Sequence, residues 1–142
     1  MTQIAVAPFV FKDALLKIGA DNYEKHVSQA ELRPDVKTEQ HTWQSITPAG
    51  KFSEAGAPVT TWQLILSYAQ DWETPNSLSE YLRANAGTVK SITLHPRAGV
   101  GKKTFTISAT IVAGPIGGTG NNVATGTVTL ACDGEPVPGT AA

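Results

Sequence analysis

The sequence predicts a mainly β fold: a β-sandwich or barrel of about six to eight strands, with one short flanking α-helix over about 77–86 and long loops. Two observations carry this expectation. Apolar and polar residues alternate with a period of two in several separate segments, and only one stretch bears a helix start signal.

Taken in chain order, Asp13–Gly19 (DALLKIG) reads as a strand that ends in the turn Gly19-Ala20-Asp21-Asn22. A second strand is expected near Tyr23–Leu32, broken at Arg33-Pro34-Asp35 because proline lacks a ladder donor and restricts its predecessor. Lys37–Thr47 reads as a weaker strand, and Pro48–Pro58 (PAGKFSEAGAP) as a long loop. The clearest strand is TTWQLILSY, with Trp62, Leu64, Leu66 and Tyr68 on one face and Thr61, Gln63 and Ser67 on the other. Ile65 is the exception on its polar face.

SLSEYLRANAG supplies the helix. Ser77 and Glu80 form a capping box, Leu78, Tyr81 and Leu82 share a face, and Gly87 can close the end in a left-handed conformation. Val89, Ile92 and Leu94 lead into a strand that stops at Pro96. Two late strands follow. In Lys103–Val112, Phe105, Ile107, Ala109 and Ile111 alternate with threonines and a serine; in Val123–Cys132, Val128, Leu130 and Cys132 alternate with Thr127, Thr129 and Ala131.

The composition narrows the function. A chain of 142 residues fits a single domain, 1–142, with a buried core. Its net charge of -1 argues against a grip on nucleic acid through phosphate neutralisation. No apolar run approaches the roughly twenty residues of a membrane helix, so no membrane partner is expected. The single cysteine, Cys132, excludes an internal disulfide and reads as a small core hydrophobe.

Charged residues make up 16% of the chain, against roughly a quarter in an average domain. They are also unevenly placed, and Thr104 to Cys132 contains no Asp, Glu, Lys or Arg. Free strand edges usually carry charges that block edge-to-edge aggregation. An uncharged, threonine-rich pair of strands therefore suggests sheet pairing with another copy of the chain.

No constellation of residues points to catalysis, and no catalytic, cofactor-binding or metal site is expected. The glycine-rich GPIGGTGNNV (Gly114–Val123) lies between two strands, whereas a phosphate cradle runs into a helix N-terminus. It reads as a connection whose Pro115 and Ile116 form a small apolar tip. His26, His41 and His95 lie far apart in sequence and read as surface or satisfied histidines. Asp71 and Glu73 flank Trp72 ahead of Pro75, where turn residues beside a packed indole are the simpler account. Asp133-Gly134-Glu135 is short for a calcium loop and reads as a turn. No enzymatic activity is expected.

DALLKIG, the long segment Thr61–Pro96, GPIGG (Gly114–Gly118) and ATGTVTL (Ala124–Leu130), in that order, resemble the major tail tube proteins of long-tailed, siphovirus-type bacteriophages, especially those of actinobacteria. The resemblance implies a virion protein made in the host cytoplasm. It further implies hexameric rings stacked into a hollow tube, with strands of adjacent subunits joined into an inner barrel. The implied partners are the chain itself, a tape-measure protein, tail-end proteins and DNA that passes through non-specifically; no cofactor is implied.

In that setting the N-terminal arm 1–11 and the loop 48–58 are candidates for ring-to-ring contacts, and residues 134–142 form a C-terminal tail. Phe9, Phe11, Lys51, Phe52, Pro115 and Ile116 are the subunit-interface candidates. Passage of DNA calls for a neutral-to-acidic bore, because many basic phosphate contacts would hold the strand. Two other readings stay open. One is a carbohydrate- or receptor-binding sandwich with Trp43, Trp62 or Trp72 as stacking platform; the other is a head-decoration or tail-completion protein.

Overall fold

Period-two burial is clearest in β6 (Val59–Ala69), where Leu64, Leu66 and Tyr68 are almost wholly removed from solvent and the residues between them are not. The structure is a computed structural model that describes residues 2–142. The other strands are β1 (Leu15–Ile18), β2 (Asp21–Asn22), β3 (Val27–Lys37), β4 (Gln40–Gln44), β5 (Lys51–Ala55), β7 (Val89–His95), β8 (Lys103–Thr110) and β9 (Thr125–Thr140). The helix α1 covers Leu78–Ala84.

Seven strands form one antiparallel sheet in the order β2-β1-β7-β8-β9-β6-β3, and β4 and β5 form a separate hairpin. β9 is the corner of the sheet. Its first half pairs with β6, from Ala69↔Thr125 to Gln63↔Ala131. Its second half leaves β6 and pairs with β8, from Ala109↔Cys132 to Lys103↔Thr140. Sharing one strand between two sets of neighbours folds the sheet into a sandwich. Leu64, Leu66 and Leu130 from one side share a core cluster with Leu16, Ile18, Ile92 and Ile111 from the other. Leu78 and Leu82 of α1 are fully buried in the same cluster. Each such side chain contributes about 1.5–3 kcal/mol by leaving water.

The mainly β class with one helix is as the sequence predicts, but several elements differ. Pro34 does not break β3, which pairs with β6 through Pro34↔Trp62 to Lys37↔Val59. β3 is the terminal strand of the sheet, and an edge strand tolerates a missing N–H. The expected loop 48–58 contains β5, paired with β4 from Gln44↔Lys51 to Gln40↔Ala55. The expected tail 134–142 belongs mostly to β9, which runs to Thr140. Asp133-Gly134-Glu135 is an irregularity inside that strand. Ser108↔Asp133 is followed by Thr106↔Val137, and Gly134 sits at a left-handed φ of 72° that absorbs the extra residues.

The capping box is half formed. The Ser77 hydroxyl accepts the Glu80 amide at 3.4 Å, but the Ser77 N–H donates to the Thr74 carbonyl and Glu80 pairs with Arg83. Gly87 lies past the Asn85 C-cap, and its φ of 89° turns the chain into β7.

The charge-free strands do not form the free edges of the sheet. β8 lies between β7 and β9, and β9 lies between β8 and β6. Their protection against aggregation is therefore internal pairing, and sheet pairing with another copy is not needed to explain it. The long free edge belongs to β3, which carries Glu31, Arg33, Asp35, Lys37 and Pro34. Charges and proline on an edge are the usual guard against indiscriminate strand pairing.

Candidate assembly surfaces

Gln70 follows the last residue of β6, and its side chain secures the glycine-rich connection. Its Nε2 donates to the carbonyls of Gly117 and Thr125, each at 2.8 Å, while its Oε1 accepts the Gly117 amide at 3.0 Å. The indole N–H of Trp72 donates to the same Oε1 at 3.2 Å, and the Gln70 backbone N–H donates to the Ala124 carbonyl. Gly117 has a φ of 99°, a conformation that suits glycine. The connection leads from β8 to β9, strand to strand.

Held this way, the loop presents apolar side chains outward. Ile116 is 75% exposed, Val123 81% and Val112 40%. Pro115 is exposed beside them.

Trp72 is half-buried in this clamp, and its acidic neighbours build a turn. Asp71 Oδ1 accepts the amides of Glu73 and Thr74, both at 3.1 Å. The Thr74 hydroxyl, then the Thr74 and Glu73 amides, hold the Asp71 carboxyl below its ordinary value. The Ser77 hydroxyl donates to the Asp71 carbonyl at 2.5 Å and Ser79 Oγ accepts the Asp71 amide, which fixes the start of α1. The Asp71 carboxylate thus serves the local backbone geometry, and Glu73 takes part through its amide.

The β4–β5 hairpin forms a second surface. Every residue in both strands is exposed. Trp43 pairs directly with Phe52, so the two rings share one face, and they are 61% and 52% exposed. Lys51 pairs with Gln44 on the opposite face, together with Gln40, Thr42 and Ser53. Ile46 in the connecting turn is fully exposed. An isolated two-stranded hairpin is marginally stable in water, and this one has an aromatic face with nothing over it.

The N-terminal arm and a groove beside it make the third surface. Residues 2–10 of the arm have no regular structure; Met1 of the expected arm lies outside the described residues. Phe9 and Phe11 line a groove of about 510 Å³ with Leu32, Trp62, Phe105, Pro136 and Pro138. Both phenylalanines thus pack partly on their own subunit. Ile4, Val6 and Val10 point outward and are strongly exposed.

The structure does not bring the six interface candidates into one patch. Phe9 and Phe11 belong to the groove, Phe52 and Lys51 to opposite faces of the hairpin, and Pro115 and Ile116 to the glycine-rich apex. The histidines also stay apart: His26 meets the Tyr23 ring edge-on at 5.6 Å, His41 lies on the hairpin, and His95 ends β7. Among the described residues no group of three or more His, Cys, Asp or Glu could hold a metal ion. Cys132 is half-buried, and burial pushes its thiol up. No helix among the described residues is long and apolar enough to cross a membrane.

Gln70 and Ile46 are the residues that sequence reasoning missed. Neither belongs to a local motif, and their roles follow from contacts and exposure that only the fold creates.

No protein-family model and no curated protein matches the chain. Nine chains of solved structures match it in fold. One belongs to the cryo-EM structure of an extracellular contractile injection system, the PVC sheath-tube complex in its extended state. That chain is 15% identical to this one and superposes with a TM-score of 0.60, over 94% of this chain and 92% of that one. The two share a fold over most of both chains.

Proposed function

We propose that this protein is a tail-tube-type structural subunit that assembles with copies of itself into hexameric rings stacked as a hollow tube. The observation that carries this reading is the near full-length fold shared with a chain of a sheath-tube complex. Three apolar surfaces at the arm, the hairpin and the glycine-rich apex support it, because a solitary soluble domain rarely exposes so much. The sequence resemblance to tail tube proteins of long-tailed actinobacterial phages extends the proposal to a virion tail that conducts a genome. A tape-measure protein would lie inside the tube and tail-end proteins at its tips.

The role is mechanical and not enzymatic. The bore is neutral to acidic, so that DNA slides without many phosphate contacts. Electron microscopy of the purified protein over a concentration series is the test. Hollow filaments of uniform width are the expected result. Protein that stays monomeric at every concentration overturns the proposal, and a cryo-EM bore lined mainly by Lys and Arg overturns the account of DNA passage.

A further inference from the structure

We infer that the groove beside the N-terminal arm binds a single-chain anionic amphiphile of the fatty-acid class. The site is complete within one subunit and stands apart from the tube reading.

The sheet itself makes the groove. β9 leaves β6 after Gln63↔Ala131, so from Trp62 to Val59 β6 is paired with β3 alone. The two halves of the sandwich part there, and Leu32 and Trp62 line one wall while Phe105, Pro136 and Pro138 line the other. The hollow between them is about 510 Å³, within the roughly 300–1,000 Å³ typical of small-molecule sites. Trp62 and Phe105 are only half-buried, so part of their apolar surface still faces water.

A second hollow of about 380 Å³ shares Phe9, Pro96 and Phe105 with the first, and the two make one trough. The register from Lys103↔Thr140 through Phe105↔Pro138 towards Glu135 gives the trough two unlike ends. One end carries Arg97 and Lys102 of the β7–β8 connection and Lys103 at the start of β8. Among the described residues none of these three cations is in an ion pair. The connection that groups them is fixed: Gly101, at a φ of 78°, donates its amide to the Ala141 carbonyl, and the Ala98 amide donates to the Asp13 carbonyl. The other end carries Glu135 and Glu31, the latter already paired with Arg33.

This distribution sets both the chemistry and the direction of the ligand. An apolar chain laid along the trough covers the rings of Trp62, Phe105 and Phe9. A carboxylate at its end lies among Arg97, Lys102 and Lys103, where a guanidinium can donate to both of its oxygens. Reversed, the same carboxylate would meet Glu31 and Glu135. A concave trough takes one chain and does not fit the flat face of a bilayer. The chain supplies most of the affinity, up to about fourfold for each CH₂ it buries. The exposed charges add a smaller share that salt screens.

The test titrates isotope-labelled full-length protein with decanoate and follows its amide signals. The Gly99, Val100 and Gly101 amides and the Trp62 indole N–H should shift together along one saturation curve, and added salt should weaken the binding. Lys102→Gln combined with Lys103→Gln, both exposed, should weaken decanoate about fivefold and leave uncharged decanol unchanged. Phe9→Ser, on the arm, should weaken both ligands, because the ring lines both hollows.

Decanol that binds wild-type protein as tightly as decanoate overturns the anionic head. Shifts confined to the β7–β8 connection, with none at Trp62, overturn the groove. Adsorption to anionic phospholipid vesicles without any response to decanoate overturns the site in favour of a membrane surface.

Discussion

Gln70 and Gly117, 47 residues apart, exchange two hydrogen bonds: the Gln70 amide donates to the Gly117 carbonyl at 2.8 Å, and the Gly117 amide returns a bond to Gln70 Oε1 at 3.0 Å. This reciprocal pair makes an otherwise flexible glycine-rich connection part of the folded domain. It also decides which side chains face outward, because the backbone on both sides of Gly117 is fixed.

Gln70→Ala should therefore loosen the connection while the core stays intact. It removes the bonds to Gly117 and Thr125 and leaves the Trp72 indole N–H without its partner. The expected loss is about 1–3 kcal/mol by urea denaturation, with faster hydrogen exchange at Gly117 than at Leu66. Equal protection at Gly117 in both proteins would show that the clamp is redundant.

Beneath the same loop, the Tyr68 hydroxyl is buried without a hydrogen-bond partner among the described residues. A Cβ added at Gly114 would overlap that hydroxyl. Gly114→Ala should cost about 1–3 kcal/mol through overpacking. Tyr68→Phe deletes the obstructing oxygen and an unsatisfied polar atom together, so alone it should leave stability unchanged or raise it by up to ~1 kcal/mol. Combined with Gly114→Ala it should recover most of the loss, a coupling that a double-mutant cycle measures. Strictly additive effects would place the strain elsewhere.

The parts of this fold that were legible in the sequence are those where burial imposes a period. Leu16 and Ile18, then Leu64, Leu66 and Tyr68, read as one-sided strands because each faces the core. Ser77 read as a helix cap because its hydroxyl answers a local amide. Lys51–Ala55 did not read as a strand, since its partner face is Trp43 and solvent and no core imprints a period there. Pro34 read as a break, although it lies in a strand paired along one side only, and Pro138, in the stretch expected as a tail, pairs with Phe105 within β9. The Gln70 clamp was invisible because it joins segments 47 residues apart that meet only where the first half of β9 pairs with β6.

Tyrosine ionisation sets the alkaline limit. Tyr23 is pushed up to about 12, by burial first and then by Asp21 and Tyr81. Tyr68 and Tyr81 are raised as well, each chiefly by burial. The native state thus holds these phenolic protons more tightly than the unfolded chain, where tyrosine titrates near 10. Their contribution is complete below that value and is lost as pH rises through the folded values. Stability should fall between pH 10 and about 12, seen as a dropping urea midpoint alongside tyrosinate absorbance. Tyr23→Phe should flatten that fall while costing about 0.5–1.5 kcal/mol at neutral pH, because the Tyr23 hydroxyl donates to the Asn76 carbonyl. An unchanged slope in the variant would assign the alkaline transition to other groups.

Trp43 is the natural reporter of assembly. It is 61% exposed on the hairpin, whereas Trp62 and Trp72 are half-buried against their own chain. An indole that moves from water into an apolar contact shifts its emission to the blue. As protein concentration crosses the threshold for filaments, the emission should shift by several nanometres in wild type and remain fixed in Trp43→Phe. The substitution lies on a solvent-facing strand, so it should change monomer stability by less than about 0.5 kcal/mol. Filaments that form with no spectral shift would mean that the hairpin stays wet and that the subunits join through the arm and groove. The Phe9 and Phe11 rings would then be the residues to substitute next, because they are the exposed aromatic side chains of that groove.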